Sequence, residues 1–387
     1  MMGAEPRRPG LLLLTIGLLL ALHNANRFSL AGIFGPLRLR FHGAYAAVGN
    51  LFSAYPLAYA LSQIPVGYLA DRVDPRRLIL VGTVIATATG ILIAFTDVYA
   101  VALGARLLAG ISGALIYTPA MTFGIAAFPV ARRGAAVGVA YVGVGLGTAA
   151  TLAGLPALVQ HLGLTGGLLV LAGFGAVMTA IAPIGLSLRR NVPRAHPAGP
   201  RLLQDPSFQA LLGFSFLGFF TTYAILTWLP AYLSDAFGIA PTTAGILSAI
   251  PNLSLTAASP MAGKLSDTLG RRPVLAIGAV GSVAAFVMLA ITHSWPAVLV
   301  ASIVAGVSTA MTTAPLFVFA SERFGQGAAG LAVGMVNGVG QIGSSLSGVV
   351  FGPMLDWTGT FASIWWSCIP IALVRYALLA RVKEPPR

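Results

Sequence analysis

Two arginines and a histidine stand inside stretches that are otherwise apolar. They are His23 and Arg27 in His23-Asn24-Ala25-Asn26-Arg27-Phe28-Ser29-Leu30, and Arg106 in Arg106-Leu-Leu-Ala-Gly110-Ile-Ser-Gly113-Ala114. Positions 23 and 27 are four apart and share one helix face. A guanidinium at the centre of a bilayer costs about 2.5–3.5 kcal/mol on insertion scales, so such residues point inward and serve a purpose. A guanidinium pairs bidentately with a carboxylate. The chain supplies no carboxylate at that depth: all ten acidic residues (Glu5, Asp71, Asp74, Asp97, Asp205, Asp235, Asp267, Glu322, Asp356 and Glu384) map to connections or span ends. The natural counter-ion is then an anionic ligand, and a cation is repelled. The alternative is structural, with each arginine bonded to backbone carbonyls or water. Both readings stay open for Arg106 alone, whereas the pair favours ligand contact. His23, with an ordinary pKa near 6.5, has the titration a proton carrier needs, although a lone intramembrane histidine serves as often as a hydrogen-bonding spacer.

Other polar side chains in apolar stretches are Tyr223, Trp228, Asn252 and Gln341, each suited to contacting a ligand or to tying two helices together. No nucleophile and base, and no pair of acids, lies within the spans, which excludes an enzyme. The single cysteine, Cys368, excludes an intrachain disulfide and a cysteine metal cluster. No metal or cofactor is implied. The glycine run Gly143-Val-Gly145-Leu-Gly147 fits helix packing better than a nucleotide loop, because no strand precedes it.

These residues are positioned by membrane-spanning helices. Of 387 residues, 57% are apolar and 9% charged, against about 25% charged in an ordinary soluble domain. The mean hydropathy of +0.87 arises from apolar runs repeated along the whole chain, of the roughly 20 residues that cross a hydrocarbon core about 30 Å thick. Approximate spans fall at 11–34, 45–69, 78–96, 99–126, 134–158, 164–188, 207–232, 242–264, 273–292, 297–319, 329–353 and 361–380. Between the sixth and seventh lies RRNVPRAHPAGPRLLQDP, a Pro- and Arg-rich linker over 189–206 that separates an N-terminal half (1–188) from a C-terminal half (207–387). Arg7 and Arg8 before Leu11–Leu22 imitate a signal peptide, but no small-x-small cleavage site follows, so an uncleaved first span fits better.

The net charge of +13 raises nucleic acid as a partner, and position decides against it. With the N-terminus cytoplasmic, 18 of the 23 basic residues fall on the inside, Arg38 and Arg40 on the outside, and Arg27, Arg106 and Arg375 within spans. That is the positive-inside pattern, and it places both termini in the cytoplasm.

The chain also repeats itself. Gly67-Tyr-Leu-Ala-Asp71-Arg72-Val-Asp74-Pro-Arg76-Arg77 follows the second span, and Gly263-Lys-Leu-Ser-Asp267-Thr-Leu-Gly270-Arg271-Arg272 follows the eighth, with the two leading glycines 196 positions apart. Duplication of a six-helix unit gives this spacing. Both loops resemble the G-x-x-x-D-R-x-G-R-R signature of the major facilitator superfamily, with Asp74 in place of Gly and an extra Pro75 in the first copy, and Thr268 in place of Arg in the second. The resemblance implies a twelve-helix, all-α membrane fold of two pseudo-symmetric halves. It also implies that Asp71, Arg72, Arg76, Arg77, Asp267, Arg271 and Arg272 form a latch biasing one gating state. Arginines that only set topology explain the charge but not Gly and Asp at fixed spacing twice.

Arg106-x-x-x-Gly110-x-x-x-Ala114 resembles the superfamily's fourth-helix signature. Together with Arg27 and the second-span run Tyr55-Pro56-Leu-Ala-Tyr59-Ala-Leu-Ser-Gln63-Ile-Pro65-Val-Gly67, it is similar to the anion:cation symporter branch. That resemblance implies that Arg27, Tyr59, Arg106 and Asn337 of Val336-Asn337-Gly-Val-Gly-Gln341 line a central cavity. Proton-coupled members of that branch often carry Asp and Glu where this chain has Asn26 and Gly113. The fifth span lacks the Gly-Pro and Gly-pair pattern of drug-proton antiporters and offers only Gly154-Leu-Pro156. The expected function is secondary active or facilitative transport of a small organic anion, a mono- or dicarboxylate, by alternating access, with or without a co-transported ion or proton, by a monomer in the lipid bilayer of the inner membrane. Efflux of a neutral or amphipathic compound is the alternative within transport, and a non-transporting receptor or sensor the alternative outside it.

Overall fold

The computed structural model describes residues 9–41, 43–70, 72–121, 142–186, 200–323 and 329–382, and among them the regular elements are all helical. In chain order these are α1 (Pro9–Gly32), α2 (Phe34–Arg40), α3 (Tyr45–Ala70), α4 (Pro75–Phe95), α5 (Tyr99–Pro119), α6 (Val142–Gly185), α7 (Pro206–Ala231), α8 (Pro241–Leu247), α9 (Ile250–Leu269), α10 (Arg271–Ile291), α11 (Trp295–Arg323), α12 (Ala329–Thr358) and α13 (Ala362–Leu378). Eight helices among the described residues, in α1, α4, α5, α6, α7, α10, α11 and α13, are long and apolar enough to cross a membrane. The other long helices, α3, α9 and α12, coincide with expected spans and carry polar residues such as Gln63, Asn252 and Gln341. The fold is an all-α, multi-pass membrane bundle.

Local chemistry sets the helix boundaries. Asp74 caps α4 by accepting from the Arg76 N–H at 2.9 Å, with Pro75 in the first turn. Asp205 likewise caps α7, accepting from Ser207 and Phe208 N–H at 2.7 and 3.1 Å ahead of Pro206. The Asp74-Pro75 departure from the loop signature is therefore a helix start. α6 holds the material of two expected spans, broken where Gly163 takes φ +73°. The span expected at 242–264 is instead two helices, because α9 starts afresh with Pro251 in its first turn. The connection after the first span contains a short helix, α2. Its Arg40 donates to the carbonyls of Ile93 and Ala94, both at 3.2 Å, and pairs with Asp97 at 3.0 Å.

By contact the chain forms two compact units, Met1–Gly43 with Asn50–Arg194 and Pro241–Ile246, and Ala44–Gly49 with Ala195–Ala240 and Leu247–Arg387. The expected linker lies largely outside the described residues. The short first-turn segment of α3 groups with the second unit through the Asp356 carboxylate, which accepts from the backbone N–H of Tyr45 and Ala46, both at 2.8 Å. Asp235 accepts from the Tyr45 hydroxyl at 2.6 Å. Within the first unit, Leu12, Ile16 and Leu19 of α1 pack with Ile79, Ile116 and Met178. In the second, Phe208 and Phe214 of α7 pack with Leu275, Leu316, Phe319 and Leu379.

The glycine run of α6 lies against α1. A Cβ at Gly143 would strike the Gly17 carbonyl and one at Gly147 would meet Ala21, with the Ala21 Cα 2.6 Å away, whereas Gly145 faces open space. Close backbone approach through small residues is how helices associate in lipid. Gly147→Ala is expected to destabilise by about 1–3 kcal/mol through overpacking. Gly145→Ala is expected to be neutral or stabilising by up to about 1 kcal/mol, because Ala is the better helix former. Thermal unfolding midpoints of the two variants in detergent, moving in opposite senses, check this.

Candidate functional site

Three helices of the first unit build one buried polar cluster. α1 contributes His23, Asn26 and Arg27, α3 contributes Tyr55 and Tyr59, and α5 contributes Arg106 and Tyr117. The approach of α5 to α3 depends on Gly110, where a Cβ would stand 2.9 Å from the Ala58 Cβ and 3.0 Å from the Tyr59 nitrogen.

Arg106 is 1% exposed. Its Nε donates to the Leu51 carbonyl at 3.2 Å, Nη1 to the Asn26 carbonyl at 2.8 Å and Nη2 to the Arg27 carbonyl at 3.3 Å. Its Cζ lies 4.9 Å from the Tyr55 ring centroid. Of the two readings left open for this residue, the backbone-bonded one describes the geometry. Arg106 ties α5 to α1 and α3, and one of its acceptors belongs to Arg27 itself.

The Arg27 side chain is buried beside aromatic faces, its Cζ 5.8 Å from the Phe28 ring and 6.0 Å from the Tyr59 ring. His23 sits between three tyrosine rings, with centroids at 5.9 Å (Tyr55), 5.0 Å (Tyr59) and 5.3 Å (Tyr117). Its Nδ1 is 3.0 Å from the Tyr55 hydroxyl, which also donates to the His23 carbonyl at 3.2 Å. The space these groups occupy is the space in front of Gly113. A Cβ there would collide with the Tyr55 hydroxyl and lie 2.8 Å from His23 Nδ1. Where the resemblance led one to look for a glutamate, this chain has an imidazole and a phenol instead.

The remaining sequence candidates fall elsewhere. Tyr223 and Asn252 line one cavity of the second unit, and Tyr223 stacks on Phe219 at 6.2 Å. Asn337 and Gln341 are one turn apart on α12, where the buried Gln341 accepts from Ser344 at 3.3 Å through its Oε1. The second loop copy is a charge network. Arg271 donates to Asp267 at 2.5 Å and bidentately to Glu322 at 2.7 and 3.1 Å, and Gly270, at φ +95°, makes the turn between α9 and α10. In the first copy Asp71 lies outside the described residues, and Arg72 stacks on Tyr68 with Cζ 3.7 Å from the ring centroid. Gly67, Arg76 and Arg77 close α3 and open α4, Gly263 precedes the last turns of α9, and Arg272 opens α10. Sequence reasoning assigned no role to Tyr55, Tyr117 or Glu322. Tyr55 and Tyr59, four apart, share a face of α3 and were the available signal. Among the described residues no group of His, Cys, Asp and Glu is placed to hold a metal.

The sequence model of the Major Facilitator Superfamily matches residues 16–235 and 211–387. A probable sulfoacetate transporter, SauU, of Cupriavidus necator is 25% identical over 81% of this chain and 80% of its own length. A probable nitrate/nitrite transporter, NarK2, of Mycobacterium tuberculosis is 27% identical over 80% of each. In structure, the nucleoside transporter NupG superposes with a TM-score of 0.79 at 15% identity, covering 96% of this chain and all of the other, a likeness of fold.

The geometry of Arg106 gives a test. A bond from a charged donor is worth about 1.5–3 kcal/mol, and the single ammonium of lysine does not reach three carbonyls on two helices. Arg106→Lys and Arg106→Gln are both expected to lower the unfolding midpoint and the yield of folded protein, with and without anions present. Size-exclusion profiles and thermal melts in detergent report this.

Proposed function

The chain belongs to the Major Facilitator Superfamily, and on that footing we propose that it carries a small organic anion, a mono- or dicarboxylate, by alternating access of two six-helix halves. It is a transporter by family and fold, not an enzyme. The observation that carries the reading is the buried Arg27 guanidinium beside Tyr59 and His23, in a chain whose seven described acidic residues all lie at the ends of elements. A positive side chain in a low-dielectric setting selects a negative cargo. The names of the two relatives, both transporters of anions, point the same way.

In this reading Arg27 is the cargo-binding arginine and Tyr59 and Asn337 hydrogen-bond the cargo. Arg106 acts as a positioning residue, holding the backbone of residues 26 and 27 through its carbonyl bonds. The twelve spans run with both termini on the cytoplasmic side of the inner membrane, the protein works as a monomer, and no cofactor takes part. The Asp267–Arg271–Glu322 network belongs to the latch.

Two measurements test the proposal. In proteoliposomes, Arg27→Gln is expected to lower uptake of the carboxylate that best stabilises the purified protein by at least about tenfold, which corresponds to about 1.4 kcal/mol or more. Uptake that survives the substitution favours the neutral-cargo efflux alternative. For the latch, Glu322→Ala is expected to change the transport rate severalfold without changing the affinity for cargo. A silent Glu322→Ala leaves Arg271 a topology-setting charge only.

A further inference from the structure

A third arginine inside a span has no role in anything above. Arg375, in the last turn of α13, is 4% exposed. Its guanidinium enters the second unit past Gly218 of α7, where a Cβ would stand 2.6 Å from the Arg375 Cζ, and it lies over the Phe214 ring at 4.1 Å. Its Nε has no hydrogen-bond partner, and no described residue gives the side chain a carbonyl or a carboxylate. A cation in the last turn of a helix suits the carbonyls of that turn, but none of them accepts from Arg375. The contrast with Arg106 is direct: equally removed from water, Arg106 has three acceptors and Arg375 has a ring face.

Arg375 lines a cavity of about 160 Å³ between α7, α9 and α11. One water needs roughly 10–15 Å³ by this measure, so the space holds an anion of several non-hydrogen atoms together with water. A second unspent donor lines the same cavity, the buried Nδ2 of Asn252. Among the described residues no carboxylate lines it. Two buried donors without acceptors at one cavity call for an acceptor from outside the protein.

We propose that Arg375 and Asn252 form an anion site within the second unit, distinct from the Arg27 cluster, that takes a small planar oxyanion such as a monocarboxylate. The site stands whether or not Arg27 contacts cargo. Arg375 supplies the charge and a fork of donors, Asn252 supplies an amide donor, and Gly218 leaves the guanidinium its path.

The test uses purified full-length protein carrying Arg27→Gln, with radiolabelled acetate as the probe in a scintillation proximity assay. Saturable acetate binding is expected to persist in this background, and adding Arg375→Gln is expected to weaken it at least tenfold. Adding Asn252→Leu is expected to weaken it about threefold, which keeps the question open to measurement if the Arg375 variant fails to fold. Melts in sodium acetate and in bulkier sodium gluconate, at equal ionic strength, separate an anion site from a structural arginine. Acetate is expected to stabilise the Arg27→Gln protein and not the Arg375→Gln double variant. Loss of all saturable binding with Arg27→Gln alone overturns the site, as does an unchanged affinity in the Arg375 or Asn252 variants. Transport that survives Arg27→Gln while acetate binding still depends on Arg375 removes the cargo role of Arg27 and leaves this site standing.

Discussion

A guanidinium drawn out of water must be given acceptors, and the polar cluster of the first unit is arranged around that demand. Arg106 obtains them from the backbones of α1 and α3 rather than from side chains. Three bonds worth about 1.5–3 kcal/mol each exceed the about 2.5–3.5 kcal/mol that placing the charge at bilayer depth costs. The surplus fixes how three helices meet. Because two of the acceptors are the carbonyls of Asn26 and Arg27, the segment that carries Arg27 is clamped by the arginine of another helix.

The same demand is met differently at each charged position. Arg40 takes the carbonyls at the end of α4 and the carboxylate of Asp97. Arg271, just past a glycine turn, takes the carboxylates of Asp267 before the turn and of Glu322 on another helix. At the rim of the bundle, acids are available, and they serve as caps and ion pairs. Deeper in, backbone carbonyls, aromatic faces and the His23–Tyr55 pair surround Arg27 and Arg106. That gradient leaves the interior positive.

The spans were readable because lipid enforces long apolar runs, and their interruption by Arg27 and Arg106 was readable for the same reason. The repeated loops were legible from Gly67 and Gly263 with the acidic and basic residues after them. What escaped were interactions whose partners leave no mark on a sequence. The acceptors of Arg106 are carbonyls, which every residue possesses. Glu322, the bidentate partner of Arg271, lies 51 positions away on another helix. The split of the eighth span into α8 and α9 was written in Pro251, but a hydropathy window averages across a single proline. The grouping of Tyr45 with the second unit depends on Asp356, more than 300 positions later.

Gly113 has a consequence for how this cluster can change over generations. The volume in front of it is already filled by the imidazole of His23 and the phenol of Tyr55. An acidic side chain at that position and the histidine–tyrosine pair are rival tenants of one room, and a lineage cannot hold both at once. Any route between a chain with a carboxylate here and this one must therefore vacate the space before refilling it. The first step is a truncation, either of the acid to glycine or of Tyr55 to something smaller.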